Sequence, residues 1–233
     1  MRYALVIKDK VDVSIYRDFL SVLGLSSVKN YKGEVTVNDN GRSLEIVAES
    51  VMTLKDFLGS ELNENKREKG NKKENAKAMD YDEVELLILH MGLQLLVLNN
   101  YKKGVFFLNL NDIIVIDHAF FLLGSLDHVL DQYKSDQYKL DQQEQLILSY
   151  PLKIGKADEQ FLAPEVKSEK IKELPFIMSN TVGYYSLAKI CMYCLFPYDN
   201  DNKQLSPLTG SKMYFFLERC LKTDPTERYF LYF

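Results

Sequence analysis

The sequence has no tryptophan and only three histidines, three cysteines, six prolines and eleven glycines among 233 residues. Three cysteines are too few for the disulfide framework of a secreted scaffold, and so few Gly and Pro exclude a collagen-like or low-complexity chain. The net charge of -4 argues against general nucleic-acid binding through a basic surface. No uninterrupted apolar run reaches the ~20 residues that a membrane-spanning helix needs. We therefore expect an intracellular globular protein, cytoplasmic or nuclear, that binds neither nucleic acid nor membrane.

The first 52 residues carry strand and turn signals around one helical pattern. Residues 3–8, 35–37 and 44–47 are short apolar runs that predict strands. Asn40-Gly41 favours a hairpin turn between the last two, because both residues tolerate positive φ. Apolar residues between Ile15 and Leu23 recur at helical spacing.

Beyond residue 52 helical patterns dominate. Four segments have the composition or spacing of helices: 54–58, 84–98, 182–195 and 212–221. The second of these is apolar on nearly every face, which predicts a helix buried at the centre of a helical lobe. Three short runs rich in Ile, Val and Phe predict strands: 105–108, 113–116 and 120–123. The polar stretches 61–79 and 131–145 predict an insert and a long exposed loop.

Two motifs in the last third of the chain resemble motifs of a known protein family. Phe161-Leu162-Ala163-Pro164-Glu165 resembles the Ala-Pro-Glu motif that closes a protein-kinase activation segment. Residues 219–228, with Asp224-Pro225 and Arg228, resemble the final conserved block of the same family. The chain therefore resembles a truncated, degenerate member of the protein-kinase-like superfamily, a homologue of serine/threonine kinases. The resemblance implies that Glu165 and Arg228 form a structural ion pair.

The resemblance also implies an α+β, bilobal kinase-like fold. Residues 1–52 would form a reduced, strand-rich N-lobe with the hinge, and residues 53–233 a mainly helical C-lobe. We expect the C-lobe to carry the polar insert near 61–79 and a degenerate activation segment near 125–165.

Residues that phosphoryl transfer needs are missing from their expected positions. We expect no glycine-rich phosphate loop, since the family places it ahead of the strand at residues 3–8. Val6 stands at the position of the strand lysine. Phe107 stands at the position of the catalytic aspartate, so no general base is available there. Gly183 replaces the aspartate with which the family's central helix anchors the catalytic loop, so we expect that anchor to be lost.

Three residues are candidates for displaced roles in binding ATP and Mg²⁺. Lys8 lies two residues after Val6 and on the same strand face. Asp112 falls on the position of the metal-binding asparagine, and Asp127 is the acid in one register of the Asp-Phe-Gly metal motif. Lys8 and Asp112 also have ordinary explanations, as a surface residue at a strand end and as a turn residue before a strand.

Cysteine and histidine do not form a convincing site in the sequence. Cys191 and Cys194 have the Cys-x-x-Cys spacing, but they lie in an apolar helix without a second pair, which favours core cysteines. His90, His118 and His128 are dispersed, and His90 in the apolar helix is best explained as a core residue with a hydrogen-bond partner.

The functional expectation is a catalytically impaired kinase-like domain, a pseudokinase, that works as a protein-binding or regulatory module without a cofactor. Its partner would be a protein such as an active kinase or that kinase's substrate. One alternative is a divergent ATP-dependent protein kinase that uses Lys8, Asp112 and Asp127 with Mg²⁺. A second alternative is a helical interaction scaffold with no nucleotide site, in which aromatic residues such as Phe106, Phe107 and Phe120 fill the cleft between the lobes.

Overall fold

The computed structural model describes residues 2–6, 10–25, 34–38, 43–60, 78–133, 145–151, 154–167, 171, 173–197 and 202–231. Over these residues the fold is mixed α and β, with small antiparallel sheets. The α-helices are α1 (Lys10–Val22), α2 (Leu54–Ser60), α3 (Tyr81–Asn100), α4 (Val182–Leu195) and α5 (Lys212–Cys220). The strands are β1 (Arg2–Val6), β2 (Glu34–Asn38), β3 (Ser43–Val47), β4 (Val51–Thr53), β5 (Lys103–Val105), β6 (Ile113–Ile116), β7 (Phe120–Leu123), β8 (Val129–Tyr133), β9 (Gln145–Leu148) and β10 (Phe176–Ser179).

The chain forms two compact units. The first consists of Met1–Tyr101 with Leu110–Leu126, and the second of Lys102–Asn109 with Asp127–Phe233. The predicted boundary between residues 52 and 53 falls inside the first unit. Residues 61–77 of the predicted polar insert lie outside the described residues.

A three-stranded antiparallel sheet, in the order β1-β3-β2, opens the first unit. Strands β2 and β3 pair with Asn38 opposite Ser43, which confirms the predicted hairpin pairing, while its turn at Asn40-Gly41 lies outside the described residues. Helix α1 buries Ile15 and Phe19, as its apolar spacing predicts. The first unit thus begins with the predicted order of strand, helix, strand and strand.

The second sheet of this unit has the order β4-β6-β7, and α3 packs on β7. A capping box starts α3: the carboxylate of Asp80 accepts the Glu83 backbone N–H at 2.8 Å, and the Glu83 carboxylate accepts the Asp80 N–H at 2.9 Å. Residues 84–98, predicted as one helix, lie within α3. The expectation that this helix is buried on nearly every face is wrong, because four of its leucines are exposed to solvent: Leu86, Leu89, Leu93 and Leu96.

Side chains of α3 make hydrogen bonds to the edge of β7 that a neighbouring strand would otherwise make. His90 Nδ1 accepts the Phe121 backbone N–H at 3.3 Å. Gln94 accepts the Leu123 N–H through Oε1 and donates through Nε2 to the Phe121 carbonyl, at 2.8 and 2.9 Å. The backbone groups of this edge strand are therefore paired by a helix, which satisfies buried polar atoms without another strand. His90 is a partly buried residue with a hydrogen-bond partner, as the sequence indicates.

The second unit contains a four-stranded antiparallel sheet in the order β10-β9-β8-β5, which the sequence does not predict. The predicted strand 105–108 is instead β5, which ends at Val105, and the predicted exposed loop 131–145 begins inside β8. Strand β8 was missed because only Leu130 is buried among its polar neighbours. This unit therefore contains more strand structure than the sequence predicts, beside its helices α4 and α5.

Helices α4 and α5 pack against each other, and α4 also packs on β5. Their contact buries Cys191, Cys194 and Cys220 as free thiols, which confirms the prediction of core cysteines. Burial raises the pKa of the Cys191 thiol well above its ordinary value and that of Cys220 to about 12. Thiols that stay protonated in this way are unreactive. Among the described helices, none is both long and apolar enough to cross a membrane.

Candidate functional site

Glu165 and Arg228 are in contact in the second unit, as the kinase resemblance implies. The two guanidinium NH2 groups of Arg228 each donate to a different oxygen of the Glu165 carboxylate, one of them at 2.9 Å. The Arg228 side chain is completely buried, whereas that of Glu165 is 23% exposed. A two-point contact of this kind fixes orientation as well as distance. We refer to these two residues as the Glu165–Arg228 anchor.

The rest of the Arg228 guanidinium is also satisfied. Its Nε donates to the Lys222 carbonyl at 2.6 Å and its Nη2 to the Thr223 carbonyl at 2.8 Å. The guanidinium lies over the ring of Tyr185 in α4, 4.9 Å from the ring centroid. Burial raises the pKa of that tyrosine, and the positive charge of Arg228 partly opposes the effect. Every donor group of the arginine therefore has a partner, which is the condition for burying its charge.

Two short 3₁₀ turns hold the partners in place. Glu165 lies in the turn Pro164–Val166, whose proline is at the first position and supplies the required φ. Arg228 follows the turn Pro225–Glu227, and Asp224 caps that turn by accepting the Thr226 backbone N–H at 2.8 Å. The hydrogen bonds from Thr226 lower the pKa of Asp224. The proline in each motif is thus part of the local geometry that positions the charged residue after it.

Residues 106–109, here called the 106–109 segment, include the positions that the resemblance assigns to the catalytic loop. Phe106 and Phe107 are almost fully buried, at 0% and 1% exposure. Each ring packs in a T-shaped arrangement with the His128 imidazole, with centroid distances of 5.6 and 5.0 Å. The backbone N–H of Phe106 also donates to the His128 carbonyl at 3.1 Å. Residues 106–108 are therefore an apolar part of the core, and the segment has no carboxylate among its four side chains.

Helix α4 anchors this segment through Ser186, which the sequence reasoning missed. The buried Ser186 Oγ accepts the Leu108 N–H at 2.8 Å and donates to the Leu108 carbonyl at 3.2 Å. Helix α4 therefore still holds this segment, through a serine hydroxyl, although the aspartate that the family uses is absent. A hydroxyl can accept from the backbone N–H and donate to the carbonyl of one residue, so it pairs both groups without burying a charge.

Gly183 lies about one helical turn before Ser186, at a position where the packing of α4 on β5 leaves no room for a side chain. A Cβ atom at this position would overlap the carbonyl oxygen of Val105 in β5. The helix and the strand can approach this closely only with glycine between them. The available signal in the sequence was the serine three residues later on the same helix face.

The candidate residues for nucleotide and metal binding lie in separate parts of the chain. Asp112 is buried in the turn before β6 in the first unit, and its carbonyl accepts the Gly124 N–H at 2.7 Å. Asp127 is exposed in the turn before β8 and belongs to the second unit. Val6 pairs with Ser43 at the end of β1, while Lys8 lies outside the described residues.

Phe120 packs on a histidine, and the described residues contain no metal centre. Phe120, expected in an aromatic filling of the cleft, is partly exposed and stacks on His90 with a centroid distance of 5.6 Å. Within the described ranges, no group of three His, Cys, Asp or Glu residues has the geometry to hold a metal ion.

Comparison with known proteins does not assign the chain to a family. Neither protein-family models nor curated protein sequences give a match to the chain. The functional conclusion therefore depends on the contacts of the two motifs and of the 106–109 segment.

Proposed function

We propose that this chain is a catalytically impaired, protein-kinase-like module that acts by binding and regulating a protein partner. The observation that carries the proposal is the burial of Phe106 and Phe107 against His128, at positions where a kinase needs a base and its supporting polar groups. Phenylalanine cannot accept the proton of an attacking hydroxyl. The 106–109 segment on this proposal contributes to the hydrophobic core and supplies no catalytic base.

The Glu165–Arg228 anchor supports the kinase-like part of the proposal. In the resemblance, this pair holds the end of the activation segment and has no chemical role. Its presence beside an aromatic 106–109 segment fits a protein in which the architectural residues are kept and the catalytic ones are replaced. The partner on this account is a protein, either an active kinase or a substrate of one, and no nucleotide is required.

A phosphotransfer assay tests the absence of catalysis. Purified protein is incubated with γ-labelled ATP and either Mg²⁺ or Mn²⁺, with generic protein substrates, and both phosphate transfer and phosphate release are measured. The expected result is no turnover above a reaction without protein, for the wild type and for Asp112→Ala and Asp127→Ala alike.

The matched control is Asp131→Ala, because Asp131 is an exposed acid on β8 whose carboxylate pairs with Lys103 at 2.7 Å. Turnover that disappears in Asp112→Ala or Asp127→Ala but persists in Asp131→Ala would contradict the proposal and identify a divergent active kinase. Such a result would give those two carboxylates the metal-binding role that magnesium chemistry favours.

A further inference from the structure

Four leucines form an exposed line along α3. Leu86, Leu89 and Leu93 retain 39%, 39% and 38% of their surface, and Leu96 retains 55%. We call these four residues the leucine stripe. The opposite side of the helix carries the buried residues Val84, Leu87, Ile88 and Met91, so the stripe lies on the solvent side of the helix. A contiguous exposed apolar line of this kind marks a contact surface.

The spacing of the leucine stripe is that of a coiled-coil seam. Successive members are three, four and three residues apart, which places them at the a and d positions of two heptads. Leucines at this spacing interlock with an identical line on another helix. The stripe is therefore complementary to itself, which is what a two-fold symmetric contact requires.

The two longest segments outside the described residues offer little that could cover the stripe. Residues 61–77, which connect α2 to α3, have only Leu62 and Ala76 as apolar residues. Residues 134–144 carry Tyr138 and Leu140 among charged and amide side chains. Neither composition supplies an apolar surface to match four leucines, so a partner from outside the chain is favoured.

Charge favours an antiparallel pair of α3 helices. The N-terminal end of α3 carries four acids: Asp80, Asp82, Glu83 and Glu85. At its other end, Lys102 follows the C-cap residue Tyr101, whose hydroxyl donates to Asp18 of α1 at 2.8 Å. A parallel pair would bring the two acidic ends together, whereas an antiparallel pair places the acidic end of one copy beside Lys102 of the other. Antiparallel helices also oppose their dipoles favourably.

We propose that two copies of this chain associate through the leucine stripe in an antiparallel, two-fold symmetric contact. In this register Leu86 of one copy lies opposite Leu96 of the other, and Leu89 lies opposite Leu93. The contact covers two heptads, which is small for a permanent dimer, so it dissociates on dilution with a Kd on the order of 10 µM. This association does not depend on the function proposed above.

Sedimentation velocity on the full chain tests the association. From about 1 to about 300 µM, the wild type is expected to shift from the 27.0 kDa monomer toward twice that mass. Leu93→Glu, at the centre of the stripe, is expected to raise the Kd at least about 100-fold. Phe215→Glu is the matched control, since Phe215 is an exposed apolar residue on α5, and it leaves the Kd unchanged. Circular dichroism verifies that both variants fold, as expected for exposed positions.

Disulfide trapping tests the orientation. A mixture of Leu86→Cys and Leu96→Cys chains should form a mixed disulfide, whereas Leu86→Cys alone should form none, because its two copies are about 15 Å apart along the helix axes. The buried native thiols do not compete.

The charge arrangement has its own test. Asp82→Lys and Lys102→Glu should each weaken the dimer, and the two together in one chain should restore it.

Three results of these experiments would overturn the proposal, and a fourth would come from a different partner. The first three are a wild type that stays monomeric at about 300 µM, a dimer that Leu93→Glu leaves intact, and a disulfide formed by Leu86→Cys alone, which indicates a parallel pair. A monomer that binds a different protein through the stripe overturns it as well.

Discussion

The Glu165–Arg228 anchor and the 106–109 segment lie in the same unit but are stabilised by opposite means. The anchor buries a charge, and it does so with a carboxylate, two carbonyls and an aromatic ring arranged around one guanidinium. The segment buries Phe106 and Phe107, and the Ser186 hydroxyl pairs the backbone N–H and carbonyl of its Leu108. A buried charge needs a partner for every donor on the charged group, whereas an apolar segment needs partners only for its backbone groups.

The largest effect is expected from Phe106→Ala. Removing a fully buried aromatic ring leaves a cavity against His128 and should lower the free energy of unfolding by about 4 kcal/mol. Denaturant unfolding measures this directly. Phe215→Ala, at an exposed phenylalanine of the same unit, should change the same quantity by less than about 0.5 kcal/mol. Equal effects for the two variants would show that the 106–109 segment is not part of the core.

Arg228→Met should cost about 3 kcal/mol, because it leaves the Glu165 carboxylate and the carbonyls of Lys222 and Thr223 without their donor. Arg228→Lys should recover only part of the loss, since an amine cannot make the two-point contact. The double variant Arg228→Met with Glu165→Leu should be more stable than Arg228→Met alone. An unchanged melting temperature in Arg228→Met would contradict the stabilising role of the Glu165–Arg228 anchor.

Ser186→Ala should have a smaller effect, about 2 kcal/mol, since it leaves the buried N–H and carbonyl of Leu108 unpaired. Ser206→Ala, an exposed serine in the same unit, is the control and should be neutral in denaturant unfolding. If both serine variants unfold alike, α4 does not anchor the 106–109 segment.

The smallest effect is expected at His90, a neutral polar group that pairs β7 in the first unit. Burial lowers the pKa of His90 from its ordinary value of 6.5, so the unfolded chain binds the proton more readily than the folded one. The free energy of unfolding should therefore fall as pH decreases below 6.5. His90→Asn retains an acceptor for the Phe121 N–H but does not titrate, so the wild type should lose more stability on acidification than this variant. A parallel pH dependence for both proteins would contradict the role of His90.

Periodic patterns gave the helices and the β2–β3 hairpin correctly, because these depend on residues close together in the chain. The apolar spacing in α1 and α5 predicts their buried faces without any knowledge of their neighbours. In α3, however, almost every position is apolar, so the pattern could not indicate that the leucine stripe faces solvent. Strand β8 was missed for the converse reason, since its pairing with β5 is long-range and its sequence is mostly polar.

At the candidate site, motif resemblance predicted the contact between Glu165 and Arg228, which are 63 residues apart. It did not predict Ser186 as the anchor or the steric reason for Gly183. Both depend on the close packing of α4 against β5, which no local pattern records.

The central proposal is that the kinase-like motifs hold a fold that has no nucleotide site and therefore cannot transfer phosphate. A thermal-shift titration with ATP and ADP, each with and without Mg²⁺ or Mn²⁺, tests it most directly. We predict no change in Tm at any nucleotide concentration. A metal-dependent increase that corresponds to about 2.7 kcal/mol at 100 times the Kd, and that Asp112→Ala removes, would contradict the claim.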